Sequence, residues 1–209
     1  MAEKVIVFLH GFQSQKFDPE EKGRAIKERL SKDGWKVYSI SYSSGLPTKE
    51  PLDYYSIVLV QMINDLGLKR IDAVIGHSMG GLIACSLAKR YRRYGIKTVI
   101  MLETPILGVS ARLLRIWRFL LQRRTSFSWS SIQDMKQGSS FLIYLNEDWP
   151  TDIRRFEIAG SLSVAPILKR AYEIPEEIPV KVFPKVRHDG PTGLRADPEV
   201  LEYIAKLLQ

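Results

Sequence analysis

The sequence predicts an α/β protein: a three-layer α/β/α sandwich around a mostly parallel, six-stranded sheet. Short apolar runs alternate along the chain with amphipathic segments of helical period, which indicates strands joined by crossover helices. A Gly-x-Ser-x-Gly turn, residues 76–80, separates one such run from a helical pattern. The 209 residues are 45% hydrophobic and 26% charged, so we expect one domain spanning 1–209.

The first half of the chain predicts two strands and two helices in alternation. The run 5–9 is apolar throughout and ends at His10-Gly11, which is typical of a strand buried on both faces of a sheet. A helix over 18–32 begins with acidic residues, which favour the positive end of the helix dipole. The alternating segment 35–42 predicts a second strand, and 53–66 predicts a second helix.

The second half continues the alternation. An apolar run at 71–75 precedes the Gly-x-Ser-x-Gly turn, and a helix follows the turn. The remaining predicted elements are strands at 97–102, 155–159 and 180–183 and a closing helix at 198–208. In a parallel sheet, ligands bind at the carboxyl ends of the strands, where both His10-Gly11 and Ser78 are expected to lie.

The turn around Ser78 fits a nucleophile elbow, in which a sharp strand-to-helix bend lifts a serine hydroxyl clear of the sheet. Gly76 and Gly80 flank Ser78 at points where a Cβ would collide with a neighbouring strand or helix. The following helix directs its free N–H groups toward any negative charge that forms beside Ser78. Five-residue patterns of this kind also arise by chance in glycine-rich turns, but here a strand precedes the turn and a helix follows it.

A serine hydroxyl is a poor nucleophile near neutral pH and needs a base within hydrogen-bond reach, a task for which histidine has a suitable pKa. The chain has three histidines. His77 precedes Ser78 on the elbow and should point elsewhere, and His10 is better placed to orient its own loop. His188, in the polar loop after the last strand, is therefore the candidate base, the alternative being a solvated loop histidine.

These motifs resemble those of the α/β-hydrolases, in particular the compact lipase-like type related to GPI-inositol deacylases and small bacterial triacylglycerol lipases. The resemblance covers most of the chain, and the residues that carry it are His10-Gly11-Phe12, the 76–80 turn, Thr104-Pro105 and His188-Asp189. It implies a minimal α/β-hydrolase fold with nucleophile, acid and base in that chain order. It also implies that the N–H groups of Phe12 and Met79 form the oxyanion hole.

The position of the catalytic acid in this sequence departs from the pattern of the family. Relatives usually carry Asp shortly after the penultimate strand, where this chain has Ser163. We favour Glu103, at the end of the fourth strand, because a carboxylate there is costly to bury unless it is paired. Four other carboxylates remain open as alternatives: Asp148, Asp152, Glu173 and Asp189. A dyad without an acid is also open.

An insertion over 107–149 separates the fourth and fifth predicted strands, and its first part has a helical period. Arg112, Arg115 and Arg118 recur at a spacing of three, with apolar side chains largely on the other side. One interpretation is a lid or acyl-binding cap over the active site, whose basic amphipathic helix also suits peripheral contact with an anionic membrane. The other is an ordinary cap helix that packs on the sheet and leaves its arginines solvated.

Composition narrows the classes of partner. The net charge of +8 suits an anionic surface but is also common in soluble proteins, and we expect no nucleic-acid partner. A single cysteine excludes an internal disulfide framework, and the histidines and cysteine lack metal-ligand spacing, so neither metal nor cofactor is expected. The sequence shows no signal peptide and no membrane-spanning run, which predicts a cytoplasmic location.

Together these features predict a serine acylhydrolase, a carboxylesterase or lipase that acts on an acyl or lipid-like ester. Ser78 would attack the carbonyl, His188 would act as base and acid, and Glu103 would orient His188. Two alternatives stay open: an acyltransferase that uses the same serine, and a catalytically weak pseudoenzyme that binds lipid through the basic cap.

Overall fold

Six parallel strands form one sheet in the computed structural model, which describes residues 3–13, 17–43, 50–110, 130–162, 174, 177–190 and 192–209. The strands are β1 (Lys4–Leu9), β2 (Trp35–Ile40), β3 (Ala73–His77), β4 (Thr98–Leu102), β5 (Arg154–Gly160) and β6 (Val180–Phe183). Their order across the sheet is β2-β1-β3-β4-β5-β6, and every neighbouring pair is parallel. The predicted fold class is confirmed.

The helices of the described residues follow the predicted alternation. They are α1 (Pro19–Ser31), α2 (Leu52–Asp65), α3 (Met79–Arg90), α4 (Ser130–Asp134), α5 (Ser140–Asn146) and α6 (Pro198–Leu207). Asp18 caps α1 by accepting from Glu20 N, and Asp197 caps α6 in the same way. The predicted strand 35–42 was too long, because β2 ends at Ile40.

Each face of the sheet carries its own hydrophobic core. Val5, Val7 and Leu9 of β1 belong to the core under α2, α3 and α5, whereas Ile6 and Phe8 belong to the core under α1 and α6. Because successive side chains of a strand point to opposite faces, a strand covered on both sides must be apolar throughout. This explains why the run in β1 does not alternate.

The winding of the sheet reverses between β1 and β3. From β1 the chain moves to β2 on one side, and it then returns to place β3 on the other side of β1. A crevice opens at such a reversal, outside the carboxyl ends of the two strands. His10-Gly11 follows β1 and Ser78 follows β3, so both motifs lie at this point.

The described part of the 107–149 insertion packs on the helices beside it. Lys89 Nζ of α3 donates to the carbonyl oxygens of Tyr144, at 2.5 Å, and of Glu147. Leu52 N, at the start of α2, donates to Asp134 Oδ2 over 2.8 Å. The predicted basic helix with Arg112, Arg115 and Arg118 lies outside the described residues. Of the helices that are described, none has the length and apolar character needed to cross a bilayer.

Candidate active site

Ser78 occupies the sharp bend between β3 and α3. Its backbone has φ 52° and ψ −124°, a left-handed conformation that non-glycine residues rarely adopt. Ser78 N donates to Leu102 O over 2.8 Å, and Ser78 O accepts from Gly81 N over 3.0 Å. The bend is therefore fixed from both sides, by β4 and by the first turn of α3.

The glycines on either side of Ser78 allow close backbone contacts. A Cβ on Gly76 would overlap the backbone of Gly80 and Gly81, and a Cβ on Gly80 would overlap the carbonyl oxygens of Leu9 and His10. Larger residues at either position would separate the strand from the helix or push away the loop after β1. The spacing of the motif thus follows from packing at the bend.

The loop after β1 runs directly against the bend. A Cβ built on Gly11, the residue before Phe12, would lie 3.0 Å from Ser78 Cβ. Met79 is the first residue of α3, so its N–H belongs to the free amino end of that helix. Of the two residues predicted to supply oxyanion donors, Met79 thus directly follows Ser78 in the chain, and Phe12 directly follows the glycine that approaches it.

His10 holds this loop in place. Its Nδ1–H donates to Gly11 O over 2.8 Å, and its ring stacks on Tyr42 with the ring centroids 4.2 Å apart. Tyr42 in turn donates its hydroxyl to His10 O over 2.6 Å. Burial lowers the pKa of His10 to about 4, so the ring is neutral near neutral pH.

His188 and Glu103 form a hydrogen bond at the carboxyl edge of the sheet. His188 Nδ1–H donates to Glu103 Oε2 over 2.9 Å. The Glu103 side chain is fully buried, whereas the His188 side chain is 31% exposed. Because the proton on Nδ1 is held by the carboxylate, Nε2 keeps its lone pair and can accept a proton.

Glu103 reaches His188 from an unusual backbone conformation. It follows β4 directly and has φ 52°, and its N–H donates to Ile158 O of β5 over 2.8 Å. Strained residues of this kind occur at sites where the surroundings fix the conformation, and they cluster at functional sites. Glu103 thus shares with Ser78 a conformation that local propensity disfavours.

His77 anchors the loop that carries His188, a role that the sequence did not reveal. Its Nε2–H donates to His188 O over 2.9 Å, and the two rings lie 4.5 Å apart between centroids. Burial, with a further contribution from the neighbouring His188, lowers the pKa of His77 to about 3. The hydrogen bond from His77 therefore holds the backbone of His188 against the residue that precedes Ser78.

Other acidic residues considered from the sequence have different surroundings. Asp152 pairs with Arg92 and Lys97 on the surface, and Asp189 pairs with Arg195 and accepts from Gly190 N. Asp148 lines a cavity of about 630 Å³ together with Arg154, at the amino end of β5. Glu173 and Ser163 lie outside the described residues.

The sequence profile of the α/β hydrolase family matches residues 6–207. A comparison with curated protein sequences gives no match.

Solved structures show the same fold at low sequence identity. A monoacylglycerol lipase from Paleococcus ferrophilus superposes with a TM-score of 0.65 at 15% identity, covering 98% of this chain and 93% of the lipase. A thermophilic esterase from Thermogutta terrifontis superposes with a TM-score of 0.64 at 20% identity, covering 98% of this chain and 89% of the esterase. Naproxen esterase from Bacillus subtilis superposes with a TM-score of 0.63 at 14% identity, covering 99% of this chain and 84% of the esterase. With the profile match over nearly its whole length, the chain belongs to the α/β hydrolase family.

Proposed function

We propose that the protein is a serine acylhydrolase, a carboxylesterase or lipase that cleaves an acyl or lipid-like ester through an acyl-serine intermediate. The observation that carries this proposal is the pairing of buried Glu103 with His188 Nδ1, beside a Gly-x-Ser-x-Gly bend. This arrangement leaves one histidine nitrogen able to take the proton of a serine hydroxyl.

In the first half-reaction, Ser78 Oγ attacks the ester carbonyl carbon while His188 Nε2 takes the hydroxyl proton. The carbonyl π-bond pair moves to oxygen and forms a tetrahedral oxyanion. When the oxyanion collapses, the C–O bond to the alcohol breaks, and His188 returns its proton to the departing oxygen. Glu103 stabilises the positive charge that His188 carries between these two transfers.

In the second half-reaction, water takes the place of the alcohol. The water oxygen attacks the acyl carbon while His188 Nε2 accepts a proton from the water, and a second oxyanion forms. Collapse breaks the bond to Ser78 Oγ, which regains a proton from His188, and a carboxylic acid leaves. The N–H groups of Phe12 and Met79 stabilise both oxyanions, because donors fixed in advance need no reorganisation during the reaction.

Two features favour an ester with an acyl or lipid-like part. Proteins that share this fold include the lipase and the two esterases described above. The 107–149 insertion follows Thr104-Pro105 after the carboxyl end of β4, and its apolar residues include buried Phe141 and Leu142 of α5. We propose that this insertion is a cap within the single domain.

Hydrolysis of p-nitrophenyl esters of increasing acyl length tests the proposal, with Ser78→Ala as the comparison. We expect the wild type to release p-nitrophenol and Ser78→Ala to lose on the order of 10⁴-fold or more in kcat, because the nucleophile is removed. Removing one small hydroxyl should leave the unfolding midpoint nearly unchanged. Wild-type turnover by Ser78→Ala would contradict the proposal, and preferential ester formation with an added alcohol would indicate an acyltransferase.

A further inference from the structure

A second buried carboxyl group lies beside Glu103 and has no part in the mechanism above. Glu157 belongs to β5 and stands in register with Met101 of β4. Its side chain is 1% exposed, and its Oε1 accepts a 2.9 Å hydrogen bond from Thr104 N. Because Thr104 directly follows Glu103, this bond supports the strained turn from which Glu103 reaches His188.

Each of the two carboxyl groups has one oxygen without a partner. Glu103 Oε1 and Glu157 Oε2 are both closed to solvent, and within the described part of the chain neither accepts a hydrogen bond. Buried polar atoms are rarely left unpaired, because losing water without gaining a partner is costly. Two adjacent ionised carboxylates would add repulsion to this cost. One proton on Glu157 removes both penalties.

The surroundings of Glu157 favour the protonated form. Burial raises the pKa of Glu157 well above its usual value, and the negative charge of Glu103 raises it further, against hydrogen bonds from the backbone of Thr104 and Glu103. Cys85 of α3 faces the same region as a neutral thiol, because burial raises its pKa to about 12. Arg155 lies two residues away on β5, and among the described residues it forms no salt bridge with Glu157.

We infer that Glu157 is a positioning residue for Glu103: it stays protonated, accepts from Thr104 N, and donates its O–H to Glu103 Oε1. Glu103 is then fixed through both oxygens, one bonded to Glu157 and the other to His188. The inference rests on the proposed function, since this positioning affects turnover only if the Glu103–His188 pair acts on Ser78.

The proton on Glu157 is tested without an activity assay, by comparing the unfolding of the wild type and Glu157→Gln between pH 7 and pH 5. An unfolded glutamate is already ionised in this range, whereas we expect Glu157 in the folded protein to keep its proton. Lowering the pH should therefore stabilise the wild type relative to Glu157→Gln, and the ratio of their unfolding constants should change about tenfold per pH unit. Parallel stability curves would mean that folded Glu157 is ionised and would overturn the inference.

The positioning role is tested by the kinetics of two replacements. Glu157→Gln retains an oxygen for Thr104 N and supplies an N–H for Glu103 Oε1, so kcat should stay within about threefold of wild type. Glu157→Leu fills a similar volume but removes both hydrogen bonds. It should lower kcat by about tenfold or more and change KM by less than about twofold, because the charge on His188 forms only during the reaction. Ile204→Ala, in the core under α6, controls for loss of stability alone.

The outcomes of these experiments separate the positioning role of Glu157 from its protonation and from the proposed function. Wild-type kcat in Glu157→Leu, or equal losses in the Gln and Leu variants, would overturn the positioning role. If Glu157→Leu does not fold, the wild-type and Glu157→Gln comparison still tests the proton. Should the wild type hydrolyse no ester, the proposed function fails, and the unfolding experiment still reports separately on Glu157.

Discussion

Two residues at the carboxyl edge of the sheet, Ser78 and Glu103, share a left-handed backbone at φ 52°. A non-glycine residue held in such a conformation costs on the order of 1–3 kcal/mol, and only rigid surroundings maintain it. For Ser78 these surroundings are β4 and the first turn of α3, and for Glu103 they include the Ile158 carbonyl and the Glu157 carboxyl next to Thr104. Two of the four non-glycine residues with positive φ in the described part of the chain are thus the ones that we propose as nucleophile and acid.

The replacement Glu103→Gln tests whether Glu103 supports His188. We expect kcat to fall by about 10²- to 10⁴-fold with little change in KM, because an uncharged partner neither fixes the tautomer of His188 nor stabilises its charged form. Steady-state kinetics on a short, soluble ester measure both constants. Asp152→Asn is the matched control, since Asp152 pairs with Arg92 and Lys97 on the surface and should keep nearly full activity. Equal effects of the two replacements would contradict the role of Glu103.

Some site residues are visible in the sequence and others are not. Ser78 is marked by local glycine spacing, and Glu103 by the cost of a carboxylate at the end of a buried strand. His77 could not be assigned, because its partner is the carbonyl of a residue 111 positions away. Glu157 was missed because a carboxyl in the middle of a predicted strand gives no sign of its neighbours across the sheet. Contacts between distant segments carry no local signal.

Among the elements, the buried strands were the easiest to predict, because a strand covered on both faces must be apolar throughout. The ends of the elements shifted by one or two residues, as expected where capping and fraying decide the boundary. Within the insertion, α4 and α5 were not predicted as separate helices, because they are short and their stability comes from packing on α2 and α3.

The basic segment of the insertion is predicted to affect adsorption to anionic membranes. Replacing Arg112, Arg115 and Arg118 with Gln should weaken adsorption to vesicles that contain anionic lipid, because each arginine near such a surface contributes about 1 kcal/mol. Hydrolysis of a small soluble ester should be spared. Vesicle cosedimentation and ester turnover, measured on the same samples, test the two parts. Unchanged adsorption would mean that these arginines are simply solvated.

At the scale of the whole molecule, buried ionisable groups link stability to pH. In the folded protein the pKa values of His10 and His77 are about 4 and about 3, so both rings stay neutral. In the unfolded chain both histidines have the ordinary pKa of 6.5 and bind a proton below that pH. Each therefore costs about 1.4 kcal/mol of stability for each unit that the pH falls below 6.5, down to the folded pKa. Glu157 has the opposite effect on stability: because its pKa is raised by folding, a fall in pH toward its ordinary pKa stabilises the folded protein.

We therefore predict that the free energy of unfolding decreases between pH 6.5 and pH 4.5, because the two histidines together outweigh the single opposing proton of Glu157. His77→Asn should remove at least half of this slope, because it removes one of the two histidines that gain a proton on unfolding. Urea unfolding at three pH values measures the slope for each protein. An identical slope in His77→Asn would show that His77 is already charged in the folded protein.

Labelling with a fluorophosphonate tests the assignment of Ser78 as the nucleophile of an ester hydrolase. Such a reagent forms a covalent phosphonyl bond with a serine that a neighbouring base activates, with loss of fluoride. We expect one adduct per chain, located on Ser78 by peptide mass spectrometry, lost in Ser78→Ala and formed much more slowly in Glu103→Gln. Labelling at another residue, or no labelling of the folded wild type, would contradict it.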